Sequence, residues 1–553
     1  MKKISMFRYA ALLLAIVFAG SMLAGCSGEG EQLPPIGPDQ TAVVVDPQEN
    51  VTPTAEPEPT QEPAQPEPTQ EPEPEPEGPV MLRVMVGRGY DGVYQEGTTL
   101  SRVIFPTIFL DDEDAAAFPQ LAKTFETFTQ ERVNIAEDTK DRLADEKRKF
   151  MEEETWAGEY FDEAELRVAR ADSSVVSIVE SSSYYAGGVH DMYGDSGYVY
   201  NSESGKLLGL EEVVTDRGKL GELICEAVED RYEDVLFFKG EELKNIISEQ
   251  TANGMLKWYV DYTGLVAIFN PYELASFADG ILTVVIPYDG NETLFDAKLL
   301  EMPESYSYSL KQYQRNYYDV GDDGKVDEII LQSTRNEYND IESFSITVNG
   351  NTQVEDTYCL SFDAYLFRVA ENDTDILMII AGAENDYETL YTYRLTAGGV
   401  VPCEHYGYGF ASVEKSLDDS TSFYCVPCYR PEKIELSNYR DMLGTSGFTG
   451  EFELTAEGKL VNLLGHMNYS YEKELVLLKE LEVFEGDDFD ARKPITLTPG
   501  TKIAPLYVTD MDGVVAKTDS GQLVSFYVQT HSWPEKINGV DVPDIFDGIM
   551  YAG

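Results

Sequence analysis

Hydrophobic and polar positions change period several times along this chain, and each change marks a different kind of element. Residues 81–86 alternate apolar and polar positions as a strand does, and 103–110 is a second β candidate. From 118 to 153 the period lengthens. Leu121, Phe125, Phe128, Val133 and Leu143 fall near helical spacing, which predicts one long amphipathic helix. Residues 164–170 and 175–185 read as strands joined by Ala171-Asp172-Ser173. A glycine-rich turn follows at 184–190. Then come a strand at Tyr198-Val199-Tyr200 and a tight turn through Asn201-Ser202-Glu203-Ser204-Gly205-Lys206. Helices are expected at 218–232 and near 241–255, and strands at 258–262, 265–269 and 282–286. That order predicts an α+β domain over 80–300.

Beyond it the pattern is short-period. Residues 305–480 read as β-rich, and 481–553 as short strands broken by Pro499-Gly500, Asp512-Gly513 and Ser520-Gly521, the cadence of an SH3-like β-barrel. The final run, with Phe546 and Met550, is expected to dock on that barrel. Within the β-rich region, Asp319-Val-Gly-Asp-Asp323-Gly324-Lys-Val-Asp327 resembles the cation loops of FG-GAP-type propeller repeats. The resemblance implies Ca²⁺ held by Asp319, Asp323 and Asp327, since such a loop places hard oxygen ligands at alternate positions around a glycine turn. Gly321 stands where the family has an acid, so one ligand is missing. The other reading of the residues is an Asp/Gly hairpin before a strand. A second copy begins at Asp375, 48 residues after Asp327. Too few units fit before 480 to close a propeller, so a partial, propeller-like sheet stack is expected.

Composition changes the picture at the N-terminus. Residues 27–79 hold thirteen acids and no Lys or Arg, and 52–78 is a Pro/Glu/Thr/Gln tract. Proline stiffens such a segment and glutamate repulsion extends it, giving a disordered stalk that reaches on the order of 150 Å at about 3.1 Å per residue. Ahead of it, Lys2, Lys3 and Arg8 precede an apolar run over 9–18 and then Leu23-Ala24-Gly25-Cys26. This is the layout of a secretory signal, with an apolar core too short to span a bilayer comfortably. The last four residues resemble a bacterial lipobox. The resemblance implies a signal peptide over 1–25, diacylglycerol on Cys26, and a chain anchored by lipid at the extracellular face of the cell membrane.

Charge narrows the partners. Residues 80–553 carry 38 bases against 87 acids, a net −49. Nucleic acid is excluded as a partner, because a phosphate-binding face needs clustered Lys and Arg. Five cysteines remain besides Cys26, an odd number, so no disulfide framework is present. Outside the cell, Cys425 and Cys428 are candidates for a disulfide. With Cys403 and His405 they also make a weaker zinc-ligand set.

Three ordered patches carry a family resemblance. They are Tyr184-Tyr-Ala-Gly-Gly-Val-His190, then Tyr198-Val-Tyr-Asn-Ser-Glu-Ser-Gly-Lys206 with its following Leu-Gly-Leu-Glu-Glu-Val-Val, and the stretch 264–280 with Val-Val-Ile-Pro-Tyr after it. Together they resemble the RsiV-like extracytoplasmic domain, the lysozyme-sensing part of a membrane anti-sigma factor. The resemblance implies an α+β fold and a binding role over roughly 80–290. It does not carry over signalling, which in that family rests on a transmembrane helix and a sigma-binding segment. His190, on the glycine turn, is a candidate ligand contact.

No catalytic constellation emerges. Gly194-Asp195-Ser196-Gly197 matches a serine-protease motif, but no His base or orienting acid accompanies it, and it reads as a turn. The expectation is a non-enzymatic envelope binding module, for a cell-wall (peptidoglycan) fragment or a lysozyme-like basic protein. The alternatives are a cell-wall-modifying hydrolase with an unrecognised carboxylate pair and a structural scaffold.

Overall fold

The computed structural model describes residues 78–551, except 154–157, 385–386, 419, 491–492 and 510. The expected signal peptide, the lipid-bearing Cys26 and nearly all of the expected stalk lie outside the described residues.

The chain begins with β1 (Val84–Gln95) and β2 (Thr98–Leu110), an antiparallel hairpin. A short α1 (Asp112–Ala117), capped by the Asp111 side chain on the Glu113 amide, leads into α2 (Pro119–Glu153). Pro119 suits the first position of α2, where no intrahelical N–H bond is lost. Leu121, Phe125 and Leu143 of α2 are fully buried, which is the face their spacing foretold. The long helix is a crossover. It lets β3 (Tyr160–Ala171) pair parallel with β2, a step that a tight hairpin cannot make. Next, β4 (Val175–Tyr185) and β5 (Met192–Asn201) extend the sheet antiparallel.

Two helices, α3 (Arg217–Tyr232) and α4 (Glu241–Ala252), share a core with a second sheet, β6 (Lys257–Val260), β7 (Gly264–Phe269) and β8 (Leu282–Pro287). All five elements lie within a few residues of their expected positions. Arg170 and Asp172, both wholly buried, pair at 2.6 Å. The same guanidinium donates to the carbonyls of Leu299 (2.8 Å) and Glu301 (2.9 Å), fastening the segment after β8 to the first sheet.

Two antiparallel meanders follow. The first holds β10 (Arg315–Tyr318), β11 (Asp327–Arg335), β12 (Ile341–Val348) and β13 (Asn351–Cys359), after β9 (Tyr306–Leu310). The second holds β14 (Ser361–Val369), β15 (Thr374–Gly382), β16 (Glu388–Thr396) and β17 (Gly399–Tyr406), with β9 added beside β14. Asp327 opens β11 and Asp375 lies at the start of β15, so the 48-residue echo joins matching strands of the two meanders. The second sheet is buried on both faces. Leu366, Leu377 and Ile379 pack toward the first meander, while Phe367, Ile376 and Met378 pack toward the next sheet. Burial on both faces explains why 376–381 is unbroken apolar sequence rather than alternating.

The next strands are β18 (Gly409–Phe410), β19 (Val413–Ser416) and β20 (Ser422–Pro427). β18 starts a twelve-stranded sheet that continues to Phe546–Asp547. β19 and β20 instead return to the first sheet, where β20 pairs with β1 through Met85↔Pro427 and Gly87↔Cys425. Gly87 is needed there, because a Cβ would sit 2.5 Å from the Tyr424 carbonyl oxygen. The result is a seven-stranded sheet ordered β19-β20-β1-β2-β3-β4-β5.

Hydrogen bonding therefore crosses 300, through β20 on β1. It also crosses 480, through His466–Tyr469 on Lys502–Thr509. Among the described residues no closed barrel or propeller forms. The expected SH3-like strands instead join the twelve-stranded sheet, because their apolar faces share one core with 434–467. Phe546 is buried in that core, whereas Met550 is 75% exposed and only its carbonyl is used, accepting from the Thr445 amide.

Candidate functional site

Two of the three sequence patches that carry the family resemblance, 184–190 and 264–280, meet at one end of β5, while 198–206 begins near its other end. The β4–β5 turn passes through Gly187 and Gly188, both at positive φ, and leaves Val189 wholly exposed. His190 Nδ1 lies 2.6 Å from the Asp191 carbonyl. A carbonyl only accepts, so Nδ1 is the donor there, and Nε2 faces the Tyr272 hydroxyl 3.4 Å away. The imidazole lies over the Phe277 ring at 4.0 Å, and Tyr193 meets the same ring edge-on at 5.0 Å.

Tyr272 is 45% exposed and sits at φ 72°, a left-handed conformation that is costly for a residue with a bulky side chain. Its amide donates to the Ala275 carbonyl, and Asn270 anchors the loop behind it. The Asn270 side chain accepts from the Asp195 amide at 2.9 Å and donates to the Asp195 carbonyl at 3.1 Å. This amide clamp ties the 270–279 loop to β5. Together His190, Tyr193, Tyr272 and Phe277 form a held, partly exposed aromatic surface. Burial pushes the Tyr193 phenol up, and the nearby Asp191 adds to that. Nothing here is an activated nucleophile, and the chemistry available is aromatic contact with a polar fringe.

The Gly194–Gly197 motif lies inside β5, where Ser196 is opposite Glu180, and not in a turn as expected. Its glycines have steric causes. A Cβ on Gly194 would meet the Asn270 side chain at 2.8 Å, and one on Gly197 the Trp258 carbonyl oxygen at 2.0 Å.

The residues expected to hold Ca²⁺ are used by the protein itself. Asp319 accepts the amides of Asp323 and Gly324, both at 2.9 Å. Asp323 pairs with Lys325 at 3.1 Å. Buried Asp327 accepts the Val320 amide at 2.8 Å and the Asn349 side chain. Among the described residues no three His, Cys, Asp or Glu side chains converge as a metal site, and the loop acids do not fit a cation as they stand. The positive charge beside them is covalent. Arg368 lies 3.1 Å from Asp375, 3.5 Å from Asp373 and 3.8 Å from Asp322.

Cys425 and Cys428 are free thiols. Three residues apart in extended chain, they serve different cores, which is why the expected bridge is absent. Cys425 packs with Phe105, Phe109 and Phe423, whereas Cys428 lies 3.2 Å from the Ser307 carbonyl. Burial pushes the Cys428 thiol up to about 12, so it stays protonated. Cys403 and His405, on β17, do not join them.

Residues 216–289 match a family model, DUF3298, described as a protein of unknown function. The chain carries a DUF3298 domain there. Two solved structures of that family are similar to this chain. One, from Bacteroides fragilis NCTC 9343, is 14% identical with a TM-score of 0.28, covering 39% of this chain and 94% of its own. The other, from Pseudomonas aeruginosa PAO1, is 15% identical with a TM-score of 0.27, covering 39% of this chain and 96% of its own. No curated protein matches. The DUF3298 segment supplies Tyr272 and Phe277 to the aromatic surface, while His190 and Tyr193 come from the strands before it. Sequence reading singled out His190 alone. Tyr272 lies within the 264–280 stretch, but its left-handed turn has no glycine to announce it.

Proposed function

We propose that this protein is a binding module of the bacterial envelope, held by lipid on Cys26 and lifted by its Pro/Glu stalk. Its aromatic surface around His190 and Tyr272 docks a basic protein of the lysozyme type. One observation carries the reading. Two of the three segments that resemble the RsiV-like domain meet in a partly exposed cluster of rings, with His190 over the Phe277 ring at 4.0 Å and within hydrogen-bond reach of Tyr272. A DUF3298 domain is compatible with that resemblance. Exposed aromatics are the side chains that anchor protein interfaces. A net −49 over 80–553 favours fast encounter with a cationic partner.

The test is calorimetric titration of the full chain with lysozyme at low and moderate salt. Binding is expected, weakening as salt rises. Tyr272→Ala is expected to lower affinity about tenfold or more with the melting profile retained. Absence of heat with lysozyme would overturn the proposal. Muropeptides serve as the parallel ligand, and release of reducing ends from them would favour the hydrolase alternative.

A further inference from the structure

A cleft of about 1,020 Å³ lies where the first sheet faces the second meander. Its walls come from β1 (Arg88, Tyr90), β3 (Glu165), the turn after β9 (Lys311, Tyr313), β14 (Asp363) and β20 (Tyr424). It exists because β20 returns to pair with β1, so it belongs to neither half of the chain alone. A smaller hollow of about 340 Å³ shares Arg88, Glu165, Ser181 and Lys311 with it and runs on to Tyr193. Cleft and hollow make one extended groove that ends beside the aromatic surface.

Three features define what fits. First, Tyr90 (69%), Tyr313 (55%) and Tyr424 (69%) are large rings left exposed along the cleft. Tyr313 is held at φ 59°, so its place is enforced against the backbone's preference. Second, the charges come in compensated pairs. Half-exposed Arg88 and Glu165 lie 3.5 Å apart, and Lys311 is 2.9 Å from Asp195. A site for phosphate or polyanion would present cations without partners. Compensated planar side chains instead offer forked donors and acceptors to an uncharged polar ligand. Asp363 is exposed on the cleft wall, where Arg88 and Glu165 act on it in opposite senses. Third, β1, β3 and β14 are interior strands of their sheets, so these walls present side chains rather than open backbone edges. β9, which adds Ser309 and Leu310 to the lining, ends its sheet, and the stem-peptide arm of the experiment tests that edge.

We infer that this groove binds an uncharged glycan strand. Tyr90, Tyr313 and Tyr424 stack on the apolar faces of successive sugar rings, and Arg88, Glu165 and Asp363 pair with their hydroxyls. The inference goes beyond docking at the His190 surface and does not depend on it.

The experiment is titration of the full chain with a β-1,4-linked N-acetylglucosamine hexasaccharide, with a short peptidoglycan stem peptide in parallel. Saturable binding of the hexasaccharide is expected. Tyr90→Ala combined with Tyr424→Ala is expected to weaken it at least tenfold, because both rings are exposed and their loss leaves the core intact. Tyr94→Ala, an exposed ring outside the cleft, and Tyr272→Ala on the aromatic surface are expected to leave it unchanged. No hexasaccharide binding at millimolar concentration, binding insensitive to the Tyr90/Tyr424 pair, or binding of the stem peptide alone would each overturn the assignment. Loss of lysozyme binding in Tyr272→Ala with retained glycan binding separates the two sites.

Discussion

Asp261 is a carboxylate that the fold holds at a cost, and replacing it should stabilise the protein in a pH-dependent way. It is buried in the turn between β6 and β7, where Oδ1 accepts the amides of Thr263 (2.8 Å) and Gly264 (2.9 Å). Burial raises its pKa from 3.8 to about 6, although those amides, Arg167 and Arg170 all act in the opposite direction. The sign follows from proton uptake. Below about pH 3.8 both folded and unfolded chains hold the proton, and the group has no effect on stability. Between there and about 6 the unfolded chain releases it while the folded chain keeps it, so stability falls as pH rises. Above 6 the loss is complete. At 1.36 kcal/mol per pH unit it amounts to about 3 kcal/mol as an upper figure. Asp261→Asn keeps the Oδ1 acceptor for both amides and removes the ionisation. Guanidinium unfolding of parent and variant is expected to give nearly equal stabilities near about pH 3.5. Near about pH 7.5 the variant should be up to about 3 kcal/mol more stable, with an unchanged m-value. Comparison with the parent cancels the other carboxylates. A variant no more stable at the higher pH, or a gain that does not vary with pH, would refute the reasoning.

Two other predictions concern charged groups. Arg170→Met strands Asp172 and the carbonyls of Leu299 and Glu301, and is expected to cost about 3–5 kcal/mol in the same unfolding assay; a loss below about 1 kcal/mol would show that the linker is not fastened there. The Asp319 loop satisfies its acids with its own amides and Lys325, so chelation is expected to leave the melting temperature of the full chain unchanged; a rise of several degrees on adding calcium would place an ion in the loop.

Local signals were legible in the sequence wherever an element answers to its own residues. The α2 period, the strands around Ala171-Asp172-Ser173 and the paired helices α3 and α4 all fall close to where spacing puts them. The 48-residue echo also has a physical basis, since Asp327 and Asp375 begin matching strands. Asp375 even serves the first meander's loop, accepting the Gly321 amide and the Tyr318 hydroxyl at 2.8 Å. Long-range joins left no such mark. Nothing in 422–427 announces that it will extend a sheet begun at residue 84, because an alternating strand is equally at home on any partner with a matching face. The SH3-like cadence failed for the same reason. Short strands and tight turns specify hairpins, and whether hairpins close on themselves or join a neighbour depends on which apolar faces are left uncovered.

The same reasoning explains why the two candidate sites differ in how visible they are. The aromatic surface is assembled from two segments about eighty residues apart, and the glycine turn of the first makes His190 visible although the Tyr272 turn carries no such mark. The cleft draws Arg88, Glu165, Asp363 and Tyr424 from across more than three hundred residues, and no two of them share a motif. Its integrity rests on one junction, the β1–β20 pairing, where Gly87 alone allows the Tyr424 carbonyl to approach. Gly87→Val would force a β-carbon to within 2.5 Å of that oxygen and 2.8 Å of the Cys425 sulfur. If the groove is the glycan site, this change should abolish hexasaccharide binding while lysozyme docking at Tyr272, which β20 does not hold, persists. Equal loss of both would mean that β20 supports the whole first sheet rather than the cleft.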